Sequence, residues 1–302
     1  MLRFDLDDKM KTQQAPADKI NSPNNPTSGA LLIVGRRDSG TFSMFFHVLG
    51  LLRQAEALDL VPIVYFNRLV CYWSESGFEG KRNAWDYFFL PVSPLSLEQL
   101  GFDLHQLENL DVGALRSVVG NSAVVSDDYL AEDIGYGGKV DHRQRMICAD
   151  LVDRYVRIQP QLSARIEEFH HQHLAGRFVI GVHYRGTDKI VEAAPAPYES
   201  YQRSLDLQIT FVPSARIFVA TDCKLFLDWL EHRYGDRVMC IKAIRSHDGK
   251  PVHFGCPQSG AEAVVDVVLL SRTHHFIHGE SNVSAAVLVF NRDLPHTDLT
   301  AT

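Results

Sequence analysis

What this chain lacks narrows its class before any motif is read. A basic surplus is missing: 37 acidic residues outnumber 30 basic ones, for a net charge of −7. Bulk nucleic-acid binding needs a basic footprint and is excluded, whereas a local basic pocket for a nucleotide is not. Cysteine is scarce. Cys71, Cys148, Cys223, Cys240 and Cys256 are scattered, odd in number and form no CxxC pair. That speaks for a reducing, cytoplasmic setting and against a structural zinc site. No apolar run approaches a membrane span, and the charged stretch Met1–Met10 has no apolar signal core. Neither a transmembrane helix nor a signal peptide is expected, while peripheral association with a membrane surface stays open. Internal repeats and low-complexity segments are absent as well. Histidine is plentiful, yet His170, His171, His173, His274 and His275 have no carboxylate or cysteine at metal-ligand spacing. No metal and no cofactor are expected.

What is present suits a globular chain with a large core: 302 residues, 45% of them hydrophobic. Residues 1–28 are rich in Pro, Asn and charge and read as a tail. Ala30–Val34 reads as a strand and is followed by a loop with two glycines and two arginines, Gly35 to Ser43. A helix over Ser43–Leu58 and a strand over Val61–Phe66 complete a βαβ pattern. The stretch Tyr72–Pro94 is aromatic, and most of it reads as core cover. Trp73 and Trp85 are retained as candidates for an acceptor cleft. Asp141–His173 reads as helix broken near Pro160. Two domains are expected, 29–165 and 166–302.

The second half alternates strands and helices. Strands are expected at Phe178–Tyr184, Arg216–Ala220, Arg237–Ile241 and His275–His278. Helices are expected at Glu199–Leu207, Lys224–Tyr234, Ala261–Ser271 and Val283–Phe290. Polar residues gather after the strands: His183 to Lys189, then Thr221 and Asp222, then Ser246 to Phe254, then Gly279 to Ser284. In a parallel sheet these loops share one edge and converge on one crevice.

The residues allow two uses each. Arg185 can grip phosphate oxygens with two parallel hydrogen bonds, or pair with Asp188 or Asp222. Asp222 can accept from a base or ribose, or cap the next helix. Asp266 orients a loop or is solvated. Ser281 and Asn282 suit a helix cap. With Ser284 and opposite Arg185, they suit a pyrophosphate better, since free N–H groups and the helix dipole favour an anion. Glu192 can take a proton from a hydroxyl, or is a solvated loop carboxylate.

The run His183-Tyr184-Arg185-Gly186-Thr187-Asp188-Lys189 resembles the first donor-site motif of the fucosyltransferase superfamily. Val219-Ala220-Thr221-Asp222 resembles the second. Asp266 to Ser271, followed by Ser281-Asn282-Val283-Ser284, resembles the third. Gly40-Thr41-Phe42-Ser43 is similar to the glycine loop that opens these enzymes. The resemblance implies an α/β chain of GT-B type, two Rossmann-like domains facing a cleft. It also implies inverting, metal-independent transfer of fucose from GDP-fucose to a glycan acceptor. By motif, His183 and Arg185 would touch the donor, Asp222 the nucleoside, and Ser281 and Asn282 the diphosphate. Glu192 falls near the base of the α1,6 enzymes, with one residue fewer before the Glu-Ala-Ala run. The α1,6 enzymes carry a second arginine where this chain has Gly186, and Arg36 or Arg37 is the expected substitute. Two alternatives stay open: a different nucleotide sugar, or a non-catalytic nucleotide- or glycan-binding protein.

Overall fold

Five apolar residues in a row cannot lie at a surface, and Ala30–Val34 forms β1, buried along its whole length. β2 (Val61–Tyr65) and β3 (Val124–Ser126) flank it in parallel, giving the order β2-β1-β3. Between β1 and β2 runs α1 (Thr41–Ala57), with eleven buried residues around its circumference. A helix that is apolar all round must be covered on every side. The computed structural model, which describes residues 29–36, 39–128, 134–135, 139–187, 195–250 and 255–300, shows how.

Helices α2 (Leu104–Leu107) and α3 (Val112–Val119) close the outer side of this sheet. Next come α4 (His142–Tyr155) and α5 (Pro160–Phe169). Asp141 and Gln144 form a reciprocal capping box that starts α4, and Pro160 sits in the first turn of α5. The expected break at Pro160 is therefore a gap between two helices.

The second sheet is fully parallel, in the order β6-β5-β4-β7-β8. Its strands are β4 (Val179–Tyr184), β5 (Arg216–Thr221), β6 (Val238–Met239), β7 (His275–His278) and β8 (His296–Asp298). Their connections include α6 (Tyr198–Phe211), α7 (Lys224–Tyr234), α8 (Pro257–Ser271) and α9 (Asn282–Phe290). β6 is shorter than the expected Arg237–Ile241, and the chain rejoins this edge further on at a parallel bridge between Ser246 and Cys223. β3 and β8 were not expected. Each has three residues; β3 (Val-Val-Ser) is too short to stand out, and β8 is half-exposed and polar.

One large core spans both sheets. α1 packs on α4 and α9 as well as on its own sheet. Phe45 lies 5.8 Å from Phe290 and 5.7 Å from Phe89, ring centre to ring centre. The chain builds β4, β5 and β6 outward, then crosses back to place β7 on the other side of β4. The strand order thus reverses between β4 and β7, the position where open α/β sheets bind ligands.

Candidate functional site

At that reversal β4 ends in His183 and Tyr184 and passes into Arg185, Gly186 and Thr187. The adjoining strand, β5, delivers Asp222. The Asp222 carboxylate accepts from the Gly186 backbone N–H at 2.9 Å and from the Thr187 hydroxyl at 2.6 Å. Arg185 Nε lies 4.0 Å from the same carboxylate. Asp222 is therefore a latch on the loop after β4. It does not cap α7, whose N-cap is Cys223 with no side-chain bond.

Gly186 is required by space. A Cβ there would stand 2.5 Å from the Tyr184 ring and 2.9 Å from the Cys223 Cβ. The Tyr184 ring has no room to retreat, being stacked 4.1 Å from Phe226. The second arginine of the α1,6 enzymes has no seat in this loop.

Across the reversal, β7 leads through Gly279 and Glu280 to α9. Ser281 caps the helix, its hydroxyl oxygen accepting from the Ser284 N–H at 2.9 Å. The Ser281 hydroxyl donates to Ser284 Oγ at 3.0 Å, and Ser284 Oγ lies 2.9 Å from His183 Nδ1. Ser281 Oγ lies 3.4 Å from the same nitrogen, so the two hydroxyls together hold the imidazole ring in place. His183, Ser281 and Ser284 are all buried. Behind them Tyr201 donates to the His183 carbonyl at 3.0 Å, and Thr300 Oγ1 accepts from the Glu280 N–H at 3.0 Å. Tyr201 and Thr300 were not foreseen. Tyr201 is one aromatic of an ordinary amphipathic helix, and Thr300 follows an unexpected strand.

The glycine loop after β1 faces the same side. Gly40 caps α1 without a side-chain bond, leaving the first N–H groups of that helix without a side-chain acceptor at its cap. Cys71 donates to the Ser39 carbonyl at 3.2 Å and accepts through its own carbonyl from Gly255 N at 2.6 Å. This ties the glycine loop to the segment that opens α8. Arg36 is exposed near His47. Arg37, Asp188, Lys189 and Glu192 lie outside the described residues.

Several buried groups are electrostatically displaced. Burial holds His47 and His278 at about 4, so both imidazoles are neutral. Burial raises Asp86 to about 7 and Asp266 to about 8. Asp266 is not solvated, as one expected use had it: one of its oxygens has no hydrogen-bond partner. Trp85 leaves the list of cleft candidates, since it is 2% exposed and donates to the Leu90 carbonyl at 3.2 Å. Trp73 is half-buried against the same core. Among the described residues no cluster of His, Cys, Asp and Glu is disposed to hold a metal ion, and no helix is long and apolar enough to cross a membrane.

No family model matches the chain, and no curated protein matches it. Solved structures do. The fucosyltransferase NodZ from Bradyrhizobium superposes with a TM-score of 0.54 at 18% identity, covering 89% of this chain and 94% of that one. NodZ α-1,6-fucosyltransferase soaked with GDP-fucose gives 0.55 at 17% identity, covering 87% and 93%. POFUT1 in complex with GDP-fucose gives 0.55 at 11% identity, covering 90% and 99%. At these identities the likeness is one of fold, and the fold is the α/β, GT-B architecture shared with these fucosyltransferases.

Proposed function

We propose that this protein is a glycosyltransferase that moves fucose from GDP-fucose to a glycan acceptor, with inversion and without a metal ion. One observation carries the reading: at the strand-order reversal His183, two residues before Arg185, bonds Ser284 in the capped first turn of α9 at 2.9 Å. The resemblance of the motifs and the GDP-fucose bound to fold neighbours support the same ligand.

The chemistry follows from charge. An acceptor hydroxyl displaces GDP at the sugar's anomeric carbon, and negative charge builds on the departing diphosphate. The Arg185 guanidinium offers paired donors to it. The N–H groups that open α9, beside the His183 imidazole, supply further preorganised donors. Arg36 or Arg37 adds charge from the facing sheet in place of the arginine that Gly186 cannot become. Glu192 serves as the base that takes the acceptor's proton. Losing Arg185 should raise the barrier by on the order of 3 kcal/mol, the scale of a lost oxyanion donor.

The test is calorimetric titration of GDP, GDP-fucose, GDP-mannose and UDP-sugars with chelator present, on wild type and Arg185→Ala, followed by donor turnover. GDP and GDP-fucose should bind the wild type and fail on the variant. Absence of guanine-nucleotide binding by the wild type overturns the proposal. Binding without any donor turnover reduces it to a nucleotide-binding protein.

A further inference from the structure

The position of Arg145 is unusual. It lies in the first turn of α4, and its Nε is shielded from solvent with no hydrogen-bond partner. Arg145 is half-buried, and burial lowers its pKa, so an anion beside it would favour its charged form.

Two contacts fix where α4 begins. Arg292, beyond the C-terminal end of α9, pairs with Asp150 and Asp153 in the second half of α4, at 3.1 and 2.8 Å. Lys139, just before α4, lies 3.9 Å from Glu280, just before α9. Pinned at both ends, α4 and α9 run side by side in the same sense. Both N-termini therefore open at the crevice, where each helix dipole favours an anion. Arg145 is carried by α4 to within electrostatic reach of His278, the last residue of β7, and of His296, the first of β8. Those two rings bond to each other, His278 Nε2 to His296 Nδ1 at 3.1 Å, while the His278 Nδ1 proton goes to the Gly279 carbonyl at 3.1 Å. The strand-end histidines are neutral and supply no charge of their own.

Among the described residues of the loop after β4, Arg185 is the cation offered to the diphosphate, with Arg36 or Arg37 proposed for the facing side. Asp222 offsets part of the Arg185 charge at 4.0 Å, and Gly186 has no space for a side chain. We propose that Arg145 is a further cation of the diphosphate site, reaching the terminal phosphate from the α4 side while Arg185 reaches it from β4. This rests on the donor reading above.

The probes are GDP and GMP, which differ by that terminal phosphate. Calorimetry on the full chain should show the wild type preferring GDP. Arg145→Ala and Arg145→Met should weaken GDP by about tenfold or more, the worth of a charge-assisted bond, and leave GMP unchanged. Arg145→Lys should lie between, and Arg143→Ala, on the exposed side of the same turn, should match the wild type. The methionine variant keeps the buried stem, so loss of fold cannot imitate loss of charge. Should both Arg145 variants retain the wild-type GDP preference while Arg185→Ala loses it, the donor site stands and Arg145 is no part of it. Equal weakening of GDP and GMP also overturns the proposal, because it marks a structural role. A wild type blind to GDP overturns the donor reading and this inference together.

Discussion

Asp222 holds Gly186: one carboxylate oxygen, just beyond the end of β5, accepts the backbone N–H of the residue that follows Arg185, at 2.9 Å. The second oxygen takes the Thr187 hydroxyl at 2.6 Å. The loop that aims Arg185 is thereby fastened to the neighbouring strand, and the site's geometry depends on a residue that need not touch the ligand. Hydrogen bonds to an ionised group are worth roughly 1.5–3 kcal/mol. Asp222→Ala should lower stability by about that much in a denaturant melt and weaken GDP by about tenfold. Asp222→Asn keeps the acceptor for Gly186 and should lose less of both. Equal behaviour of the two variants would count against the latch.

Gly186 makes a complementary prediction. Restoring the arginine of the α1,6 enzymes should harm this chain, since even a methyl group meets the Tyr184 ring at 2.5 Å. Gly186→Ala should cost about 1–3 kcal/mol, the usual range for overpacking. Gly186→Arg should express poorly or melt lower still, with no gain in donor affinity. A Gly186→Arg protein of wild-type stability that binds GDP more tightly would refute the steric account.

The pH dependence of stability has a sign fixed by four buried groups. Between about 4 and the ordinary 6.5, folded His47 and His278 stay neutral while the unfolded chain protonates them. Their contribution is lost as pH falls through that window. Asp86 and Asp266 do the opposite. From the ordinary 3.8 up to about 7 and about 8, the folded chain keeps protons that the unfolded chain releases, so stability falls as pH rises. Below about 6.5 the two pairs oppose each other. Above it only the carboxyls act. The melting temperature should therefore drop from pH 6.5 to pH 8, and Asp266→Asn, which cannot ionise, should flatten the drop. An unchanged slope in that variant would remove Asp266 as the cause.

Much of the fold could be read from the sequence because its strands are buried on both faces. Runs such as Ala30–Val34 and Val179–Tyr184 are continuous and apolar, and β7 and α7 match their expected bounds, His275–His278 and Lys224–Tyr234. What escaped notice had little apolar content or depended on packing. β3 and β8 are short edge strands defined by register alone. α2 and α3 begin at Asp103 and Asp111, whose caps bond His105 N and Ala114 N, at 3.0 and 2.8 Å. Those caps sit in a polar stretch with weak periodicity. The site followed the same rule. His183, Arg185, Asp222 and the serines stood out as polar groups at strand ends, and the fold brings them together. The latch role of Asp222 and the parallel setting of α4 and α9 are facts of tertiary contact, invisible to spacing along the chain. Trp85 misleads for a related reason: an aromatic that lines a cleft and one that fills a core look alike until burial is known.

The two serines of α9 separate capping from ligand binding. Ser281 accepts the Ser284 N–H, and removing such a cap costs about 1 kcal/mol. Ser284 makes no cap; its hydroxyl serves His183 Nδ1 at 2.9 Å, with Ser281 Oγ at 3.4 Å from the same nitrogen. Ser281→Ala should therefore lower the melting temperature and weaken GDP together. Ser284→Ala should weaken GDP by roughly threefold to tenfold while changing stability less, because alanine is the better helix former and the loss falls on the imidazole's orientation. On the proposed donor reading both serines act on GDP through His183, so the double variant should lose less affinity than the two single losses summed, the mark of groups sharing one partner. In a His183→Ala background, Ser284→Ala should then have no further effect on GDP titrations. Additive losses, or a Ser284→Ala effect that persists without His183, would show that the serine meets the ligand directly and that the relay to His183 carries nothing.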